Sequence, residues 1–98
     1  MGAIETSRKR FDELARQWRE GRGATSSIAR MCAHPAYREI IAMGKPAIPW
    51  LLSELDEKPD HWFVALTEIT GADPIAAASR GRIKEMAAAW LEWGRKNG

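Results

Sequence analysis

Eight glycines and five prolines fall mostly between stretches of apolar residues spaced for helices. Residues 11–18, 37–43, 48–55, 62–69 and 83–93 are each apolar at three- and four-residue steps and bounded by such breakers. Period-2 alternation never persists long enough to mark a strand. The chain is therefore expected to be all-α, a compact bundle of five or six short helices. At 98 residues it reads as a single domain. A chain this short needs large side chains to fill its core, and its five tryptophans can each bury about 150–250 Å².

The first helix is expected over residues 1–20. Ile4, Phe11, Leu14, Ala15 and Trp18 share one face, Thr6 or Ser7 can cap its start, and Gly21 with Gly23 stops it. Residues 21–27, Gly-Arg-Gly-Ala-Thr-Ser-Ser, read as a flexible connection. Residues 28–98 then form the remaining helical core and its cap. Ser27 caps a short piece that aligns Ile28, Met31 and Cys32, and Pro35 opens the next helix, with Tyr37, Ile40 and Ile41 inward and Gly44 at its end. Pro46 and Pro49 open a further helix with the stripe Ile48, Leu51, Leu52 and Leu55. Trp50 lies nearly opposite that stripe. Trp62, Leu66 and Ile69 are expected to face the core with Phe63 at the margin, and Gly71 ends that helix. Residues 75–81 are ambiguous. The last helix runs from about residue 82 to about residue 95, with Ile83, Met86, Ala87, Trp90 and Trp93 on one face.

Met43-Gly44-Lys45-Pro46-Ala47-Ile48-Pro49-Trp50-Leu51-Leu52 resembles the first helix of a HEAT-type repeat, in which a glycine turn precedes an apolar helix. Ala65-Leu66-Thr67-Glu68-Ile69-Thr70-Gly71 resembles the second. The ending Ile69-Thr70-Gly71-Ala72-Asp73-Pro74, followed by Trp90-Leu91-Glu92-Trp93, is similar to the terminal cap of many bacterial HEAT-like proteins. The resemblance covers about half of the chain, roughly residues 43–94, and implies a HEAT-like helical hairpin at the centre of the bundle. It carries no catalytic meaning. A solenoid needs about three repeats, so the single repeat implies a closed bundle rather than an extended array.

Few residues are available for chemistry. His34 and His61 are the only histidines, and Cys32 is the only thiol. Cys32-Ala33-His34 offers two ligands where a structural zinc needs four, and no third group that would orient a Cys–His nucleophile is recognisable. Glu54, Asp56, Glu57, Asp60 and His61 form the densest titratable cluster, but they flank Pro59 at a connection between helices, where solvated charge is expected. Gly21-Arg22-Gly23 lacks the preceding strand of a phosphate loop. These observations point to a protein that is not an enzyme and uses no cofactor or metal. One cysteine cannot form an internal disulfide, and Arg8, Lys9 and Arg10 make the first residues charged, so a cytoplasmic location is expected. No apolar run approaches the roughly 20 residues that span a bilayer, and no membrane partner is expected.

Two binding classes remain. Residues 1–45 carry nine Lys/Arg against five Asp/Glu, a balance of +4, and residues 46–98 carry six against eight, a balance of −2. Arg8, Lys9, Arg10, Arg16, Arg19, Arg22 and Arg30 make the first third basic, which supports weak nucleic-acid binding as the alternative reading. Asp12, Glu13 and Glu20 are interleaved with them, and Trp18 falls on the apolar stripe. Protein binding fits better, because tryptophan and arginine are enriched at interaction hot spots. Spacing explains Trp18, Trp62, Trp90 and Trp93 as core and leaves Trp50 off it. The expected contact set is Trp50, Glu54, Glu57, Arg16 and Arg19, on a small adaptor or inhibitor of the antitoxin or phage-regulator kind that docks on another protein.

Overall fold

Ser27, His34, Gly44 and Gly71 cut the chain into its helices, each by a local hydrogen bond or a backbone angle. In the computed structural model the backbone is described for residues 2–21 and 27–97 and the side chains for residues 7–21 and 27–97. Six α-helices result: α1 Gly2–Gly21, α2 Ile28–Ala33, α3 Pro35–Met43, α4 Ile48–Glu57, α5 Phe63–Thr70 and α6 Ile83–Asn97, with 3-10 turns at Lys45–Ala47 and Ala77–Ser79. No strand occurs among the described residues, as expected of an all-α bundle.

The Ser27 hydroxyl accepts from the Arg30 N–H at 3.3 Å, at the start of α2. His34 ends α2 and caps α3, its Nδ1 accepting from the Ala36 N–H at 3.1 Å while Pro35 takes the first turn. Gly44 at φ 73° and Gly71 at φ 75° turn the chain after α3 and α5 in the backbone region that favours glycine. The Gly71 N–H donates to the Thr67 carbonyl at 2.8 Å. Helix α1 already begins at Gly2, so Thr6 and Ser7 lie inside it rather than at its cap. The Ile4 side chain, Arg22, Gly23 and the body of the 21–27 connection lie outside the described residues.

Helix α1 lies along α3, α3 along α5, and α4 along α6, with a lighter contact between α4 and α5. The core is aromatic at its centre. Trp62 sits 5.6 Å from Tyr37 with the rings nearly parallel, 4.3 Å from Trp18 and 6.2 Å from Phe11, centroid to centroid. All four rings are fully buried. Trp62 stands just before α5 rather than within it, at φ −91° and ψ 0°, and Phe63, the first residue of α5, is buried at the edge of the core. Two polar atoms of this cluster are tied to backbone: the Trp18 indole N–H donates to the Met31 carbonyl at 2.8 Å, and the Tyr37 hydroxyl donates to the His61 carbonyl at 2.9 Å while accepting from the Ala65 N–H at 3.0 Å. Tyr37 thereby holds α3 to the start of α5. On the far side Trp90 is buried and meets Trp93 edge-on at 5.4 Å.

Candidate protein-interaction surface

Of the residues expected to form a contact set, Trp50, Arg19 and Glu54 are brought onto one seam between α1 and α4, and the seam is closed. Trp50 does leave the stripe of its own helix, but α1 crosses above it. Its ring packs on Phe11 at 5.6 Å, the Arg8 guanidinium lies 5.9 Å from the ring centroid, and the residue is half-buried against the core. The expectation that Trp50 stands clear of the core is thus corrected, since a second helix covers the face its own helix leaves open. Arg19 of α1 pairs with Glu54 of α4, whose side chain retains 16% exposure. Arg16 is held on its own helix by Glu13 and Glu20. The hydrogen bonds from Arg16, then from Gln17, pull the Glu13 carboxyl down to about 2. Glu57 is exposed at the end of α4.

The same kind of pairing engages much of the basic first third. Arg8 meets Asp12, Arg10 meets Glu39 of α3, and Arg16 and Arg19 are paired as above. Of the seven basic residues singled out, four face carboxylates and Arg22 lies outside the described residues. A phosphate backbone would have to break those pairs to use them.

Cys32 is buried, and burial pushes its thiol up, away from the reactive thiolate. Burial likewise pushes the Tyr37 hydroxyl well above its ordinary value. His34 spends Nδ1 on the α3 cap, and the Asp60 carboxylate accepts from the His61 backbone N–H at 2.8 Å. Among the described residues no group of three or more His, Cys, Asp and Glu side chains is placed to hold a metal ion. No described helix is long and apolar enough to cross a membrane.

The open surface lies elsewhere, between α5 and the start of α6. A cleft of about 440 Å³ has an apolar lining of Ile28, Phe63, Val64, Ile75, Ile83 and Met86. Its volume lies in the range of ligand and side-chain pockets. The rim carries His61, Thr67, Glu68, Asp73 and Arg80, with Arg80 paired to Asp73 and Glu68 to Arg38 at 2.9 Å. A shallower depression of about 400 Å³, lined by Ala29, Cys32, Ala33 and Arg38, shares Val64 and Glu68 with the cleft and extends the surface across α2.

Sequence pattern alone does not reveal two residues of this site. Ile28 aligns with Met31 and Cys32, so periodicity assigns it to the core. It is nevertheless 51% exposed, the one large exposed hydrophobic side chain among the described residues. It occupies the first position of a six-residue helix whose later turn alone reaches the core. Ile75 is buried in the irregular run before the second 3-10 turn, where no period could single it out. The one signal in the sequence is the isoleucine at the first position after the Ser27 cap. Neither a protein-family model, nor a curated protein, nor a solved structure matches the chain.

Proposed function

We propose that the chain is a non-enzymatic protein-interaction module, a small adaptor or inhibitor, and that its contact surface is the α5–α6 cleft together with Ile28. The carrying observation is the half-exposed Ile28 beside an apolar recess of about 440 Å³. Apolar surface left open on a small domain stabilises association once a partner removes it from water. Rim charges already satisfied within the chain leave the recess as the main source of binding free energy. The thiol is buried and His34 is committed to a helix cap, so neither offers a nucleophile or general base to the cleft. A cytoplasmic setting suits the single buried cysteine.

The reading is tested by affinity capture from lysate of the producing cells, with and without nuclease, using the wild-type chain and Met86→Lys. The expected outcome is a captured protein that survives nuclease and is lost with Met86→Lys. Capture that vanishes with nuclease, or that the substitution leaves intact, sinks it.

A further inference from the structure

We draw no further inference here: the strongest candidate, the apolar cleft between α5 and α6 with Ile28 among its lining residues, carries nothing because nothing in the structure shows what covers it.

Discussion

The seam beneath α1 and the cleft beside α5 are made of similar material, and one is sealed while the other is open. Under α1, Phe11, Trp18, Trp50 and Trp62 meet at a tilt, and the Arg19–Glu54 pair closes the edge. Beside α5, Phe63, Ile75, Ile83 and Met86 meet open space instead. What differs is the covering element. Helix α1 offers 20 residues with a continuous apolar stripe, whereas the chain over the cleft is an irregular run holding one three-residue 3-10 turn. A short turn with no apolar stripe cannot roof a recess.

The largest effect is expected of Trp62→Ala, which empties the centre of the sealed side. Loss of a fully buried tryptophan is expected to cost about 3–5 kcal/mol in denaturant unfolding. A cost below that of an ordinary surface change would show that the seam is not the core. Trp50→Ala is expected to cost about 3 kcal/mol, from the roughly two thirds of a large ring that is buried, at about 25 cal/mol per Å². Unchanged melting with lost partner capture would return Trp50 to the role of a free recognition anchor. Tyr37→Phe strips a donor and an acceptor at once and leaves the His61 carbonyl and Ala65 N–H unsatisfied, an expected loss of about 1–2 kcal/mol. Urea midpoints equal to wild type would mean that water replaces the hydroxyl there. On the open side Ile28→Ser is expected to move stability by less than about 0.5 kcal/mol. A larger loss in thermal unfolding would make Ile28 part of the fold rather than of its contact surface.

Much of the sealed side is legible in the amino-acid sequence. The stripe Phe11, Leu14, Ala15 and Trp18 is buried as spaced, and Ser27, Pro35, Gly44 and Gly71 stand at the ends where their chemistry puts them. Trp50 defeats the pattern because a helical wheel records what a residue faces within its own helix and nothing of what crosses above. The pairs Arg10–Glu39 and Arg19–Glu54 join helices far apart in the chain, so no local spacing reveals how they engage the basic first third. The cleft is the least legible part. Its walls come from α2, α5, an irregular run and α6, and it is defined by an absence of covering chain that no local pattern encodes.

His34 carries a further consequence, for the order in which the molecule comes apart. Its backbone N–H ends α2 on the Met31 carbonyl, its imidazole caps α3 through Nδ1, and the ring lies so close to Gly21 that a Cβ there would collide with Nε2. Three helix termini thus meet at one residue, and with Nδ1 accepting, a neutral ring carries its proton on Nε2, the atom nearest the end of α1. Lifting α1 exposes the ring, frees its rotation and withdraws the acceptor from Ala36. Fraying of α1 is thereby linked to opening of the first turn of α3, so their amides should exchange with solvent as one cooperative unit.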